Sequence, residues 1–156
     1  MESALVCIDV TKRFRRVVAL NQVSTEFGPG ITALLGANGA GKTTLLSILA
    51  TLIKPSSGVI RVAQNDLKSP SGIIEARRHL GYLSQSFSVL PHGTVEQNVR
   101  YSAWVHGVPT NQVSDYALQA ISDVDLVAEI QRPARVLSGG QRQRLGIACA
   151  IAHRPS

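Results

Sequence analysis

The stretch GANGAGKTT, residues 36–44, decides how the rest of this chain is interpreted. Gly36 is followed after four residues by Gly41, Lys42 and Thr43, which matches the pattern G-x-x-x-x-G-K-[ST] at every fixed position. The glycines allow the backbone to curl so that successive N–H groups face one anion, and the dipole of a following helix adds to this attraction. The lysine neutralises phosphate oxygens, and the hydroxyl of Thr43 can hold Mg²⁺. The pattern therefore predicts a nucleotide phosphate site; the alternative is a glycine-rich turn that opens a helix by chance.

The residues on either side of this stretch have the composition of a buried strand and an amphipathic helix. Residues 31–35, ITALL, form a nearly all-apolar run that is typical of a strand buried on both faces. Residues 43–49 carry an apolar stripe at helical spacing. Further strands are predicted over residues 4–10, 22–27, 59–62 and 80–83. We therefore expect a β-rich first part that contains the phosphate site, over residues 1–85.

The middle of the chain, residues 86–136, is predicted to be helical. Thr94 and Gln97 fit a capping box, after which apolar residues recur at helical spacing: Val95, Val99 and Ala103. A second helix is predicted from Tyr116 to about Ser122. The last segment, residues 137–156, begins with LSGGQ and is predicted to continue as a helix of about four turns.

Composition favours one folded domain with a substantial core. Of the 156 residues 44% are apolar and 17% charged, which excludes a disordered chain. No apolar run approaches the roughly 18–20 residues that span a bilayer. The start Met1-Glu2-Ser3 has no basic region followed by a long apolar stretch, so we expect no secretory signal. Cys7 and Cys149 stand far apart and without metal-ligand spacing, as inert reduced thiols of a cytosolic protein would.

The net charge of +6 by itself is compatible with nucleic acid or an anionic membrane surface as a partner, but the distribution of the charge favours neither. The basic residues are scattered in short groups, few aromatic residues are available to stack on bases, and no groove-reading motif is present. A solvated surface and phosphate chemistry explain the charge better.

The LSGGQ segment has a physical interpretation of its own. Ser138 and Gln141 fit a capping box, and Gly139 and Gly140 keep side chains away from the amides of the first helical turn. The segment could thus seat an anion at a helix N-terminus. Taken alone, simple helix capping explains it better; the phosphate loop elsewhere in the same chain makes a second phosphate-facing segment the favoured interpretation.

LSGGQ about a hundred residues after such a glycine-rich loop is the signature of the ATP-binding-cassette (ABC) ATPases, and the whole chain resembles that family in the right order. QRQRLGIACAIAHRP and VSTEFGPGITALLGANGAGKTTLL are similar to the family's sequences around its two phosphate-contacting motifs. LGYLSQ resembles the segment that ends in the family's Q-loop glutamine, here Gln85. TKRF places Phe14 where the family has an adenine-stacking aromatic residue. LPHGTVEQNVRYSAWVHGVP is most similar to the subfamily whose exporters pair cassettes with separate permeases.

The resemblance implies an α/β fold: a P-loop NTPase of ABC type with an N-terminal antiparallel β part and a helical insertion. It also implies roles for particular residues. Phe14 would stack on adenine, the alternative being an ordinary core residue. The nine residues of the loop would wrap the triphosphate: Gly36, Ala37, Asn38, Gly39, Ala40, Gly41, Lys42, Thr43 and Thr44.

Two further roles follow from the same resemblance. Gln85 would contact both the attacking water and the Mg²⁺ ion that Thr43 also holds. It would also link the site to the helical segment that touches the permease. The alternative is that Gln85 is an ordinary surface residue. The signature would contact the γ-phosphate of ATP bound to a second cassette, so that two cassettes bury two ATP molecules between them. Its contacting residues would be Ser138, Gly139, Gly140 and Gln141.

The family's carboxylates for phosphoryl transfer do not occur in these 156 residues. They belong to a Walker B strand that begins just after the "HRP" of residues 153–155, and the apolar run that precedes Asp9 is instead the first β-strand. The histidines all precede the place of the family's switch histidine, and we interpret them as surface or structural residues: His79, His92, His106 and His153. We hypothesise that the chain is a C-terminally incomplete stretch of a longer ATPase. On its own this stretch is expected to fold poorly, because residues 31–35 lack a neighbouring strand. It is also expected not to hydrolyse ATP, because the carboxylates are absent.

The sequence therefore predicts the ATP-binding subunit of an ABC transporter, which couples ATP binding and hydrolysis to transport, in the direction of export, by a separate integral membrane permease. The expected ligands are ATP and Mg²⁺, and the expected protein partners are a second cassette, in a homo- or heterodimer, and the permease. Its expected location is the cytoplasmic face of the cell membrane, where it would be a peripheral protein. The alternatives are a non-transport ABC ATPase and a nucleotide-binding fragment that does not hydrolyse ATP.

Overall fold

Two long strands open the structure and pair as an antiparallel hairpin. β1 spans Leu5–Phe14 and β2 spans Val17–Phe27, and the turn between them is made possible by Arg15 with φ of 50°. β1 buries both Cys7 and Val10, which are three residues apart, because the strand is irregular between them: its pairing register shifts there and Asp9 has φ of 49°. This computed structural model describes residues 5–155, which form two compact units that divide between His79 and Leu80.

The first unit is a four-stranded antiparallel sheet with two helices. β3 (Ser57–Val62) pairs with β1, and β4 (Asn65–Asp66) pairs with β3, which gives the order β2-β1-β3-β4. Helix α1 (Lys42–Leu49) packs its apolar stripe on the sheet. The core of this unit consists of Cys7, Val10, Leu20, Leu45, Ile48, Leu49 and Ile60. The strands predicted over residues 4–10, 22–27 and 59–62 and the predicted helix are confirmed for the described residues; Ala4 lies outside them.

Two predicted strands are wrong. Residues 31–35 form no strand, and within them Ile31 is 102% and Leu35 88% exposed. Residues 80–83 are likewise irregular. A strand requires a hydrogen-bonded neighbour as well as apolar side chains, and no strand among residues 5–155 pairs with either segment.

Helix α2 (Pro70–Arg78) was not anticipated. The Ser69 hydroxyl accepts a hydrogen bond from the amide of Gly72 at 3.0 Å and proline occupies the first turn. Both features are typical of the start of a helix. The prediction missed the helix because a segment that contains glycine and proline also has the composition of a turn.

The second unit is helical, as predicted. It contains α3 (Val95–Val105), α4 (Val113–Asp123) and α5 (Gly139–Ile151), with 3₁₀ turns at Val127–Glu129 and Ala134–Val136. Its core is formed by small and branched apolar residues, among them Val95, Val99, Ala103, Ala117, Ile121, Leu126, Leu145 and Ala148. The division of this region into a helical subdomain, residues 86–136, and a signature segment, residues 137–156, stays a prediction. Both segments lie within one compact unit, which gives no boundary between them.

Asn98 fixes the entry to α3. Its side chain is 4% exposed, and its Oδ1 accepts a hydrogen bond from the amide of Leu90 at 2.7 Å. Its Nδ2 donates to the carbonyls of Leu90, Gly93 and Thr94 at 3.1, 3.2 and 2.9 Å. One buried amide side chain therefore bonds four backbone groups of the turn that precedes the helix.

Candidate nucleotide-binding site

The loop of residues 36–41 turns the chain sharply into α1. Gly39 has φ of 84° and Gly41 φ of 85°, conformations that L side chains adopt only with strain. Gly41 is the N-cap residue of α1. The amide of Ala40 donates to the carbonyl of Ala37 at 3.2 Å, which closes one turn of the loop.

Gly41 lies against the second strand of the sheet. A Cβ atom at this position would lie 2.4 Å from the carbonyl oxygen of Ala19 and 2.9 Å from Cδ2 of Leu20. Residues 19 and 20 belong to β2, so this glycine allows the loop to approach the sheet by its backbone alone. At Gly39 a Cβ would have no atom within 4 Å, because that residue faces away from the protein.

Lys42 closes the loop from the helix side. Its Nζ donates hydrogen bonds to the carbonyl oxygens of Gly36 and Ala37 at 2.6 and 2.7 Å. The ammonium group is thus held over the loop, where it adds positive charge beside the amides at the start of α1. Residues 36–40 are all exposed, so an anion can reach this arrangement.

The first turn of α1 suits an anion and a metal bound with it. It contains no acidic residue, and its N-cap glycine has no side chain with which to cap the helix amides. Thr43 is exposed and Thr44 half-buried directly after the lysine. Magnesium is commonly held by one hydroxyl or carboxylate together with phosphate oxygens, so the hydroxyl of Thr43 fits Mg²⁺ that arrives with a nucleotide. Among the described residues no three His, Cys, Asp or Glu side chains form a metal site of their own.

Phe14 lies at the end of β1 in the same unit. It is 46% exposed, so it is a surface residue rather than a core residue. Val17, its cross-strand partner, and Val18 are also exposed, at 64% and 45%. Ala19, which follows them in β2, makes the close approach to Gly41. One strand therefore connects an exposed apolar surface at Phe14 to the phosphate loop.

Gln85 and the signature residues belong to the second unit. Gln85 is exposed in a turn of the irregular segment before α3. Nearby, Phe87 is packed on α5 where Gly146 has no side chain: a Cβ there would lie 2.6 Å from the Phe87 ring. The absent side chain lets the segment that carries Gln85 lie against the signature helix.

The LSGGQ segment forms the N-terminus of α5 with a complete capping box. The amide of Gln141 donates to Oγ of Ser138 at 3.3 Å, and the amide of Ser138 donates to Oε1 of Gln141 at 3.0 Å. Nε2 of Gln141 also donates to Oε1 of Glu129 at 2.9 Å, a contact that no sequence pattern indicated. Gly139 and Gly140 are exposed, and a Cβ on either would meet no atom within 4 Å. The structure therefore presents a capped helix N-terminus with a bare backbone surface.

His106, His153 and the two cysteines have structural surroundings. The rings of His106 and His153 stack at 4.3 Å, and each lies at hydrogen-bond distance from a backbone carbonyl. Neither cysteine forms a disulfide. Burial raises the pKa of the Cys7 thiol, and raises that of Cys149 to about 12.

A model of one protein family, described as ABC transporter, matches residues 20–156. The chain belongs to this ABC transporter family. Over 148 residues it is 38% identical to the spermidine/putrescine import ATP-binding protein PotA of Pseudomonas aeruginosa (strain UCBPP-PA14), a match that covers 94% of this chain and 40% of that protein. Over 155 residues it is 35% identical to the probable multidrug ABC transporter ATP-binding protein YbhF of Escherichia coli (strain K12), with coverage of 99% and 26%. The chain therefore spans less than half the length of each of these relatives.

Solved structures of ABC proteins share the fold. The dimeric structure of MJ0796, described as a bacterial ABC transporter cassette, superposes with a TM-score of 0.79 at 25% identity, and covers 97% of this chain and 70% of that one. The predicted ABC-type P-loop NTPase fold is confirmed. Among residues 5–155 no helix has both the length and the apolar character that crossing a bilayer requires.

Proposed function

We propose that this ABC-family chain is the ATP-binding part of a transporter subunit. The observation that carries the proposal is the loop of residues 36–41, which is closed by Lys42, leads into the N-terminus of α1 and is open to solvent. The uncapped amides at the start of α1, the dipole of that helix and the ammonium group of Lys42 lie side by side there, which suits the β- and γ-phosphates of ATP. The exposed ring of Phe14 supports a stacking role against adenine.

The residues around Mg²⁺ are part of the same proposal. The hydroxyl of Thr43 would hold the metal beside the phosphates. For Gln85, the family resemblance alone supports a role towards Mg²⁺ and the attacking water. Bound Mg²⁺ would neutralise charge that develops on the transferred phosphoryl group. Lys42 would neutralise phosphate oxygens from the other side of the loop.

The signature residues Ser138, Gly139, Gly140 and Gln141 would contact the γ-phosphate of ATP held by a second cassette, in a homo- or heterodimer. Their exposed, side-chain-free amides at the start of α5 support this role. The related MJ0796 cassette is described as dimeric. Closure of such a dimer around ATP could drive a permease between two states.

The transport role and its direction are finer proposals. A separate integral membrane permease would form the pathway, which would place this chain at the inner face of the membrane. Relatives named for import outnumber those named for multidrug transport, so the relatives do not support export. Export therefore rests on the resemblance of residues 90–109 alone.

Hydrolysis is proposed for a protein that also contains the Walker B carboxylates. The 156 residues alone contain no Asp-Glu pair after a four-residue apolar strand, so we expect them to bind ATP without turning it over. Sustained phosphate release by a purified chain of these 156 residues in the presence of Mg²⁺ would contradict this expectation.

Nucleotide binding is tested with Lys42→Ala and a charge-matched control. Lys42→Ala should lower the affinity for a fluorescent ATP analogue at least tenfold, because it removes both the loop closure and the charge beside the phosphates. Lys68→Ala removes an exposed lysine from the same unit and should leave the affinity unchanged. Equal affinities of wild type and Lys42→Ala would refute the proposed site.

The signature role has its own matched pair. Ser138→Ala and Thr94→Ala each remove the N-cap of a complete capping box, in α5 and α3 respectively. Each should cost about 1 kcal/mol of stability, but only Ser138→Ala should weaken ATP-dependent association in analytical ultracentrifugation. If Ser138→Ala and Thr94→Ala weaken association equally, Ser138 acts only as a helix cap and the proposed contact with ATP is refuted.

A further inference from the structure

Lys12 makes two contacts that join the end of β1 to a loop 42 residues away. Its Nζ lies 4.9 Å from the centroid of the Phe14 ring and donates a hydrogen bond to the carbonyl oxygen of Lys54 at 2.6 Å. We propose that Lys12 is a positioning residue for the nucleotide base: it holds one face of the Phe14 ring, so that the purine of ATP stacks on the other. This inference rests on the proposed function, because it assumes that Phe14 receives the base.

The loop that anchors Lys12 is itself fixed to β1. The amide of Arg13 donates to Oγ of Ser56 at 3.0 Å, and the amide of Ser56 donates to the carbonyl of Thr11 at 2.8 Å. With the bond from Lys12 to Lys54, three hydrogen bonds join three successive residues of β1 to residues 54–56. The ammonium group above Phe14 is therefore held by an ordered backbone.

The same loop continues from the helix that carries the phosphate site. α1 ends at Leu49, and the amides of Leu52 and Ile53 both donate to the carbonyl of Ser47 in its last turn, at 2.9 and 3.3 Å. Lys54 follows directly. Helix α1 and the loop that follows it are thus continuous. The N-terminus of the helix would contact the phosphates, and the loop, through the bond between Lys54 and Lys12, would restrain the Phe14 ring on which the base is proposed to stack.

A restraint on the Phe14 ring would increase the affinity for the base, because the ring is exposed and would otherwise be free to change rotamer. An exposed aromatic side chain loses rotamer freedom when a base stacks on it, and a side chain that is already ordered loses less. The ammonium group is attracted to the face of the ring and occupies that side. Since ordering one side chain changes affinity by a factor of about three to ten, we expect a loss of this size when Lys12 is removed.

A second explanation for any effect of Lys12 is simple attraction between its charge and the phosphates. The two explanations differ in which part of the ligand is affected. Positioning of Phe14 acts only on ligands that contain a base, whereas charge attraction acts on inorganic tripolyphosphate as strongly as on ATP. The ratio of the two affinities therefore separates them.

The test measures binding of ATP and of tripolyphosphate by isothermal titration calorimetry, each with Mg²⁺. The proteins compared are the wild type and the variants Lys12→Ala, Lys12→Arg, Phe14→Ala, Phe14→Ala with Lys12→Ala, and Lys68→Ala. Lys12→Ala should weaken ATP about three- to tenfold and leave tripolyphosphate unchanged. Lys12→Arg should restore ATP affinity, because a guanidinium also stacks on an aromatic face. In a Phe14→Ala background, Lys12→Ala should have no further effect on ATP. Lys68→Ala is the control for loss of one exposed lysine from this unit.

The possible results are distinct. Equal losses for ATP and tripolyphosphate, or a loss on Lys12→Ala that persists without Phe14, would overturn the positioning role. Wild-type protein that binds ATP no more tightly than tripolyphosphate would overturn both the base platform and this inference, while the phosphate site would stand. Wild-type protein that binds neither ligand would refute the proposed function itself.

Discussion

Alanine at Gly41 should damage the first unit much more than alanine at Gly39, although the two residues share a backbone conformation. Their φ angles are 85° and 84°, so both variants incur the cost of a left-handed L residue, about 1–2 kcal/mol. Both also gain the same small stabilisation from a less flexible unfolded chain. These contributions cancel in the comparison.

The difference comes from the neighbours. At Gly41 the new Cβ would lie 2.4 Å from the carbonyl oxygen of Ala19, whereas carbon and carbonyl oxygen normally approach to about 3.3 Å or more. That oxygen belongs to the backbone of β2, so the loop or the strand must move by about 0.9 Å. Overpacking of this kind costs about 1–3 kcal/mol. Gly41→Ala should therefore lose about 2–5 kcal/mol in total, against about 1–2 kcal/mol for Gly39→Ala.

Urea denaturation followed by far-UV circular dichroism measures the two losses, and hydrogen exchange of the β2 amides localises them. Gly41→Ala should also abolish binding of a fluorescent ATP analogue, because Gly41 is the N-cap of α1 and its displacement moves the loop away from the first amides of that helix. Equal destabilisation of the two variants, within about 0.5 kcal/mol, would show that the loop does not depend on its close approach to β2.

Three further predictions concern the second unit. Asn98→Ala should destabilise the protein by about 1–3 kcal/mol in urea denaturation, because it removes four hydrogen bonds and leaves the Leu90 amide without its partner, whereas the three carbonyls keep other backbone donors; a loss below about 0.5 kcal/mol would contradict this. Gly146→Ala should lower the thermal midpoint, since its Cβ would lie 2.6 Å from the Phe87 ring, whereas Gly140→Ala, with open space around it, should be neutral or slightly stabilising. Cys149, whose pKa burial raises to about 12, should react with iodoacetamide at pH 8 about a thousandfold more slowly in the native protein than in urea, and its rate should rise with pH up to that pKa. Equal native and denatured rates would refute this last prediction.

Local chemistry was predictable from the sequence wherever a few neighbouring residues decide the structure. The capping boxes at Thr94 and Ser138 are examples, because each donor and acceptor lies within four positions. The glycine-rich loop and its helix follow from the same local logic. The relation of Gly41 to β2 did not, since it depends on where a distant strand lies.

Pairing and long-range contacts were not predictable in this way. The run of residues 31–35 has the composition of a strand, but composition does not provide a hydrogen-bonded neighbour, and the structure leaves the run exposed. The bond from Gln141 to Glu129 and that from Lys12 to Lys54 join residues 12 and 42 positions apart. No spacing rule anticipates such contacts, because they arise only after the chain has folded.

The closure of the loop by Lys42 affects how variants of this lysine are interpreted. Its ammonium group is bonded to the carbonyls of Gly36 and Ala37, so a phosphate that binds there must share or replace those two partners. Ligand binding is then an exchange of hydrogen bonds around a preorganised loop, and its net gain is smaller than the strength of a lysine–phosphate contact suggests. Substitution of the lysine, in contrast, removes the preorganisation together with the charge. The affinity lost on mutation will therefore exceed what the lysine contributes to holding the nucleotide.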